Sequence, residues 1–255
     1  MKASQIGLQM YTVRERVSVD MLGTLKELAD IGYTAVEFAG YGGVPVGDLK
    51  ATLDELGIRA FAAHVGLDQF RTRFDGVVED LTTLGIEFAI VPFVALADRA
   101  GLFGDLDAIA STFNDWGARC KDAGLRFGYH NHDFEFAPAE SGEGTLLDGL
   151  LGATDPALVS LELDAFWAAY AGFDPLAVIK QYSDRIPLLH AKDMALGEQK
   201  ADAPVGEGIL PWREIIDAAD AAGTEWYIVE QDHPKDAMVD VGTSLKALQG
   251  LSSEK

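Results

Sequence analysis

The sequence is poor in cysteine and has no long apolar run. Its one cysteine, Cys120, cannot form a disulfide within the chain, so nothing indicates an oxidising compartment. No stretch is apolar enough to span a bilayer, and the first residues lack the apolar core and cleavage site of a signal peptide. These absences predict a cytoplasmic protein in which Cys120, inside the helical pattern WGARCKDAG, is a packing residue rather than a nucleophile.

Positive charge is also scarce. There are 20 lysines and arginines against 41 aspartates and glutamates, and the formal net charge is −21 at pH 7. A nucleic-acid surface needs lysine and arginine to neutralise phosphates, and anionic lipids attract the same residues. The sequence therefore argues against nucleic acid and membranes as partners, and solubility accounts for the acidity. Because 48% of the residues are hydrophobic, disorder is expected only at the SSEK tail, 252–255.

The chain does contain a repeated unit, a short apolar run followed by an amphipathic stretch. The runs predicted as strands are 6–13, 33–39, 58–64, 86–93, the start of 125–136, 158–164, 186–191 and 226–230. Glycine separates a helical pattern from the next strand in DIGY, ELGI, TLGI, DAGL and AAGT, where it can close the last helical turn. Eight strand–helix units predict an α/β fold, a single (β/α)8 TIM barrel that forms one domain over residues 1–255.

Groups that bind metals or move protons stand at the ends of four consecutive predicted strands. In a barrel of this kind these ends meet at one rim, where active sites lie. The residues are His130, His132 and Glu135 in LRFGYHNHDFEF, Asp164 in LELDAFW, His190 in LLHAKD and Glu230 in YIVEQD. A lone aspartate usually caps a helix and a lone histidine is usually a core residue, but four adjacent strand ends are harder to explain structurally.

Crowded carboxylates repel one another and raise one another's pKa unless a cation neutralises them. A divalent metal ion is the natural partner. Oxygen ligands with one imidazole suit Mn, Mg or Co, and Zn also fits. Such an ion polarises a carbonyl or hydroxyl oxygen and stabilises an enolate-like charge. The sequence therefore predicts one divalent ion as cofactor.

A series of motifs along essentially the whole chain points to a family. In order they are GLQMYTVR, GYTAVEFAG, AAHVG, GYHNHDFEF, LELDAFW, LLHAKDM, VGEGILPW and YIVEQD. Together they resemble the sugar-phosphate isomerase/epimerase group of the xylose-isomerase-like TIM barrels. The resemblance implies a single divalent ion held by strands five to eight. Carried over position by position, its ligands include Asp164, His190 and Glu230.

The fifth strand departs from the simplest pattern of that family. Many relatives end it with a glutamate, where this chain has His130 and His132 with Glu135 just beyond. We assign Glu135 as the fourth ligand because it keeps a set of three carboxylates and one imidazole, with His130 or His132 as the rival. Relatives move the proton with two metal-bound glutamates. Here a histidine can take that role, with Glu230 and Lys192 as further acid–base candidates.

Other residues near the strand ends are candidates for holding a substrate. They are Tyr11, Arg14, Glu37, His64, Trp167 and Glu207. Three of them have a structural alternative: an ion-pair partner for Glu37, a core position for His64 and helix packing for Trp167. The VGEGILPW segment around Glu207 is predicted as a loop over the site.

These residues predict an enzyme that takes a proton from the carbon beside a carbonyl of a sugar or keto-sugar. Isomerisation or epimerisation is the leading reaction. Dehydration, as in an inosose dehydratase, and keto-glycoside cleavage share that first step and stay open. A metal-free, non-catalytic barrel subunit is a further alternative. The lack of a phosphate-binding cluster favours an unphosphorylated substrate, and the oligomeric state is open, with a homo-oligomer among the possibilities.

Overall fold

The structure is a computed structural model that describes residues 1–96, 99, 103–139 and 142–252. The end of the SSEK tail, 253–255, lies outside the described residues. Ten strands are described: β1 (Ile6–Gln9), β2 (Ala35–Phe38), β3 (Arg59–His64), β4 (Phe88–Val91), β5 (Arg126–His130), β6 (Val159–Asp164), β7 (Leu188–Ala191), β8 (Asp193–Met194), β9 (Asp202–Ala203) and β10 (Trp226–Val229). Eight of them close in the order β1-β10-β7-β6-β5-β4-β3-β2, and every pair is parallel. The predicted (β/α)8 barrel is confirmed.

Helices surround the barrel on the outside. Those in the described part are α1 (Arg14–Val17), α2 (Met21–Ile31), α3 (Val46–Leu56), α4 (Leu67–Leu84), α5 (Leu106–Asp122), α6 (Leu146–Ala153), α7 (Ala165–Tyr170), α8 (Pro175–Gln181), α9 (Trp212–Ala222) and α10 (Ala237–Leu251). The five glycines before strands take φ values between 67° and 115°, as the helix-ending pattern predicts. Cys120 is fully buried in α5, and burial raises the pKa of its thiol to about 12.

The first strand is shorter than predicted. It ends at Gln9, and Met10–Val13 forms a 3-10 helix instead of continuing the sheet. The reason is local, because the side chain of Gln9 accepts a hydrogen bond from the backbone N–H of Tyr11 at 3.1 Å and turns the chain out of the strand. In the described part of the chain no helix has the length and apolarity needed to cross a membrane.

An apolar layer fills the barrel interior toward the N-terminal ends of the strands. We call it the floor cluster, and its members are Ala35, Phe61, Ala62, Phe88, Ile90, Leu188, Trp226 and Ile228. The rings of Phe61 and Trp226 stack with their centroids 4.1 Å apart. A Cβ at Gly7 would lie 2.4 Å from the Phe61 ring, so glycine leaves the room that this stack needs. The polar residues of the candidate site lie above this layer.

Candidate active site

The strand register brings the predicted polar residues together. His130 on β5 is paired with Glu162 on β6, and Asp164 on β6 is paired with His190 on β7. Side chains two residues apart on a strand share a face, so Glu162 and Asp164 both point into the barrel. All four of these side chains are buried.

A first group consists of His130, Asp164, His190 and Glu230, which we call the rim cluster. Each offers one ligand atom, and these atoms all lie within 4.8 Å of one another. His190 Nδ1 is 2.9 Å from Glu230 Oε2. Three of the four predicted ligands therefore come together, and the fifth strand contributes His130 to them.

A second group, which we call the inner cluster, consists of His64, His130, Glu162 and His190. Glu162 stands two residues before Asp164 on β6, nearer to the floor cluster. One carboxylate oxygen, Glu162 Oε2, is 2.7 Å from His64 Nε2, 3.1 Å from His130 Nδ1 and 3.2 Å from His190 Nε2. Glu37 borders the cluster, with its Oε2 3.0 Å from His190 Nε2 and its Oε1 3.5 Å from His64 Nε2. His190 thus uses one nitrogen toward each cluster.

Lys192 is fully buried beside the rim cluster. Its Nζ lies 3.0 Å from Asp164 Oδ2 and 2.8 Å from both Glu230 Oε2 and Asp232 Oδ2. Burial lowers the pKa of this ammonium, but the three carboxylates outweigh burial and raise it well above its ordinary value. Lys192 is therefore a fixed positive charge, and this makes it a poor candidate for the proton acceptor that the sequence suggested.

The other buried groups have their pKa values shifted by the same two effects. Burial, together with the neighbouring Glu162, raises the pKa of Glu37 to about 7, and burial raises that of Asp164 to about 6. Burial lowers the pKa of His130 to about 4. For His190 burial also lowers the pKa, but Glu162 and Glu230 raise it well above the ordinary value.

Several buried polar atoms here make no hydrogen bond. Among the described residues they include Asp164 Oδ2, Glu162 Oε1, Glu37 Oε1 and His130 Nδ1. Asp164 Oδ2 is close to Lys192 but is not aligned as an acceptor of a hydrogen bond. Buried carboxylate and imidazole atoms without partners are costly unless a cation binds them. This donor set fits a divalent ion.

The structure does not bring Glu135 into either cluster. Its Oε1 accepts a hydrogen bond from the Tyr129 hydroxyl at 2.5 Å, and its Oε2 accepts one from the backbone N–H of His132 at 2.8 Å. Both oxygens are thus engaged in fixing the turn after β5. Burial raises the pKa of Glu135 to about 7 in spite of these hydrogen bonds. His130 takes over as the candidate fifth-strand ligand.

A cavity of about 500 Å³ opens beside the clusters. Its lining residues are Tyr11, Ala39, Gly40, His64, Gln69, Pro92, Phe93, His130, His132, Glu230 and Asp232. The His132 ring lies 5.2 Å from the Phe93 ring and 5.5 Å from the Trp167 ring, and its Nδ1 has no hydrogen-bond partner. Burial lowers the pKa of His132 well below its ordinary value, so this imidazole is neutral near pH 7.

The remaining predicted substrate residues divide into two sets. Tyr11 and His64 line the cavity, and Tyr11 is 42% exposed. Arg14 does not line it. Its guanidinium lies over the Tyr11 ring at 4.3 Å and donates to the carbonyl oxygens of Tyr11 and Asp232 at 3.0 and 2.7 Å. Arg14 therefore supports the cavity wall, while Trp167 packs 5.3 Å from Lys192 Nζ.

The predicted loop around Glu207 is present, but Glu207 itself is exposed and does not line the cavity. Asp193 holds this loop. Its carboxylate accepts hydrogen bonds of 2.8 to 3.2 Å from the backbone N–H groups of Met194, Gly206, Gly208 and Leu210. A Cβ at Gly208 would lie 2.2 Å from this carboxylate, which explains the glycine. The VGEGILPW segment is thus a loop anchored by Asp193, and substrate binding by Glu207 stays a prediction.

Residues 25 to 250 match the family of the xylose isomerase-like TIM barrel. The chain belongs to this family. A sugar phosphate isomerase/epimerase from Parabacteroides distasonis has a similar structure, with a TM-score of 0.78 and 28% identity, over 96% of this chain and 93% of that one. A structure of the IolI protein with a bound zinc atom gives a TM-score of 0.73 over 97% of both chains, at 14% identity, which shows the fold alone.

Sequence relatives of this xylose isomerase-like barrel include an inosose dehydratase from Geobacillus kaustophilus. It is 27% identical over 191 residues, which are 67% of this chain and 61% of the relative. The match therefore spans less than two thirds of that protein. The family predicted from the motifs is confirmed, and the predicted enzyme class, an isomerase/epimerase or a dehydratase, agrees with these relatives.

Two carboxylates of this xylose isomerase-like site were not predicted from the sequence. Glu162 stands two residues before Asp164 in LELD, and Asp232 stands two residues after Glu230 in EQD. The alternation rule that led to Asp164 applies equally to Glu162, so the signal was present. Asp232 lies beyond the end of β10, where alternation no longer holds, and only its contact with Lys192 reveals it.

Proposed function

We propose that this xylose isomerase-like barrel is a divalent-metal-dependent enzyme that isomerises or epimerises a sugar or keto-sugar. The observation that carries the proposal is the rim cluster of two imidazoles and two carboxylates beside a cavity of sugar size. The similarity to a sugar phosphate isomerase/epimerase and the zinc atom bound to IolI support it.

Asp164, His190 and Glu230 would hold the ion, with His130 rather than Glu135 as the fifth-strand ligand. When bound, the ion polarises a substrate oxygen and stabilises the enolate-like charge. Mn, Mg and Co suit the carboxylates, and the imidazoles also suit Zn. Lys192 would remain charged and hold Asp164 and Glu230 in place, and it is not among the residues that line the cavity.

His132 is the best-placed proton acceptor. It lines the cavity, it is neutral near pH 7, and its Nδ1 is free of other hydrogen bonds among the described residues. Phe93 and Trp167 pack near the ring and fix its orientation. A neutral imidazole held in one orientation can take the proton from the substrate carbon and return it to the neighbouring carbon, which isomerises the sugar. Epimerisation would also need a second proton donor on the opposite face of the enolate.

The cavity favours an uncharged substrate. No lysine or arginine is among its described lining residues, whereas Glu230 and Asp232 are. A phosphate group binds to cationic side chains or helix N-termini, and the acidic lining repels it. Tyr11 and Phe93 are 42% and 45% exposed and present aromatic surface to a sugar ring. We therefore propose a free sugar or keto-sugar rather than a phosphorylated one.

Dehydration is the second candidate, because relatives in sequence include inosose dehydratases. Elimination of water starts with the same proton removal beside a carbonyl and continues with loss of a hydroxyl group. The rim cluster serves both reactions, so the choice depends on which hydroxyl group the cavity places beside the acid–base residues.

The test is incorporation of deuterium from D₂O into a panel of free ketoses, aldoses, inososes and their phosphate esters. The protein is loaded in turn with Mn²⁺, Co²⁺, Mg²⁺ and Zn²⁺. We expect exchange with an unphosphorylated substrate, and NMR of the product separates an isomer or epimer from a dehydrated diketone.

Asp164→Asn should lose metal and exchange together, and His132→Gln should lose exchange but keep the metal. His233→Gln is the matched control, since His233 belongs to neither cluster and does not line the cavity. Exchange that persists undiminished in Asp164→Asn contradicts the proposal. Absence of exchange with every substrate and every metal favours the non-catalytic barrel subunit instead.

A further inference from the structure

We propose that the inner cluster is a second divalent-cation site, formed by His64, His130 and Glu162 with Glu37 beside them. It lies below the rim cluster and is suited to zinc. His64 and Glu162 belong only to the inner cluster, whereas Asp164 belongs only to the rim cluster, so the two sites can be separated by mutation.

The spacing of the inner atoms fits ligands around one ion. Ligand atoms about 2.0–2.1 Å from zinc lie roughly 3.0–3.4 Å from one another in tetrahedral or octahedral arrangements. In the inner cluster, Glu162 Oε2 lies 2.7 Å from His64 Nε2 and 3.1 Å from His130 Nδ1. Small shifts of these side chains would therefore place both nitrogens and the oxygen on a common ion.

Three buried polar atoms of these residues make no hydrogen bond to the described part of the chain. They are Glu162 Oε1, Glu37 Oε1 and His130 Nδ1, and both glutamates are 0% exposed. Buried groups of this kind are normally satisfied, and an unsatisfied carboxylate oxygen at such depth carries a large desolvation cost. A cation bound between these atoms removes that cost.

The charge around the two clusters can accommodate a second divalent ion. Five carboxylates surround the two clusters: Glu37, Glu162, Asp164, Glu230 and Asp232. The fixed positive charge in contact with them is Lys192. Metal ligation would displace the proton that the raised pKa of His190 favours, so with neutral imidazoles the net charge is −4. One divalent ion at the rim would leave −2, and a second ion in the inner cluster would bring the total to zero.

The ligand types differ between the two positions. The inner position offers His64, and once both ions are bound it would also take His130 from the rim; zinc favours such nitrogen-rich sets. With both ions bound, His130 serves the inner ion through Nδ1, and His190 serves the rim ion through Nδ1, which faces Glu230. The rim ion then keeps open positions for substrate, as catalytic ions do. His64 and His130 line the cavity, so an ion can reach the inner position.

The experiment is equilibrium dialysis of the full chain against Zn²⁺ alone, followed by elemental analysis. We expect about two zinc ions per chain in the wild type, because the rim and the inner position each have their own set of ligands. Asp164→Asn should lose one equivalent, and Glu162→Gln and His64→Gln should each lose one. The double variant Asp164→Asn/Glu162→Gln should bind none, and the His233→Gln control should bind two. Circular dichroism checks that each variant is folded.

Cobalt replacement gives a second readout. In Asp164→Asn the remaining Co²⁺ should show the intense visible absorption of a four-coordinate, imidazole-bound ion, and this band should be absent in Glu162→Gln. One zinc ion in the wild type, unchanged in Glu162→Gln and His64→Gln, overturns the inner site but leaves the proposed function intact. The reverse result, with Asp164→Asn unchanged, overturns the rim site while the inner one stands.

Discussion

Replacing Glu135 with glutamine tests whether this residue is a metal ligand or a structural carboxylate. Glu135 is fully buried, and both of its oxygens accept hydrogen bonds, from the Tyr129 hydroxyl and the His132 backbone. A glutamine has the same shape and its amide oxygen can still accept. We therefore expect Glu135→Gln to keep the metal content of the wild type and to change the dependence of stability on pH.

The magnitude follows from the pKa of Glu135. Burial raises it from 4.5 to about 7. Between these values the folded protein holds a proton that the unfolded chain has released, so the free energy of unfolding falls as pH rises. Raising the pKa from 4.5 to about 7 corresponds to about 3 kcal/mol of stability, most of it lost between about pH 5 and about pH 8. Full burial means that solvent screening does not reduce this figure much.

The assay is urea unfolding of chelator-treated wild type and Glu135→Gln at several pH values. Relative to the wild type, the variant should gain about 2–3 kcal/mol between about pH 5 and about pH 8. Glu207→Gln on the exposed loop is the matched control and should show no such gain. The reasoning is refuted if Glu135→Gln loses as much metal as Asp164→Asn, or if its stability follows pH in parallel with the wild type.

Three further changes test other parts of the structure. Lys192→Met leaves buried carboxylates unpaired and should lower the free energy of unfolding by about 3–5 kcal/mol in urea with chelator, and by less with Mn²⁺. An equal loss under both conditions would contradict the charge-balancing role of Lys192. His132→Gln should slow deuterium exchange about 10²- to 10⁴-fold at unchanged metal content, whereas unchanged exchange would exclude it as the base. Gly117→Ala places a Cβ 2.5 Å from the carbonyl oxygen of Leu158 and should cost about 1–3 kcal/mol in thermal unfolding, with Gly47→Ala, which meets nothing within 4 Å, as control.

The barrel and the rim residues were predictable because both follow from short-range patterns. Strand ends of a parallel barrel meet at one rim, so Asp164, His190 and Glu230 could be placed together from sequence alone. Glu135 could not be placed in this way. It lies in a 3-10 helix, Phe134–Phe136, and this turn directs its carboxylate to Tyr129 instead of to the rim. Spacing along the chain does not reveal such a turn.

The inner cluster was not predicted for a different reason. Its members come from β3, β5, β6 and β7, with Glu37 of β2 beside them, and they meet only because the barrel closes. Glu37 and His64 were noted separately as substrate candidates, each with a structural alternative. What joins them is the carboxylate of Glu162 and the second nitrogen of His190, which are contacts between distant segments that periodicity does not encode.

The floor cluster closes the barrel interior at the N-terminal ends of the strands, so the site is reached from the other end. The stacked rings of Phe61 and Trp226 fill the interior below the polar residues, so the described part of the barrel offers no second route at that end. Substrate, product, water and metal ions then share the mouth beside Tyr11 and Phe93. A product that lingers there delays the next substrate, so product competition belongs in any kinetic description of this protein.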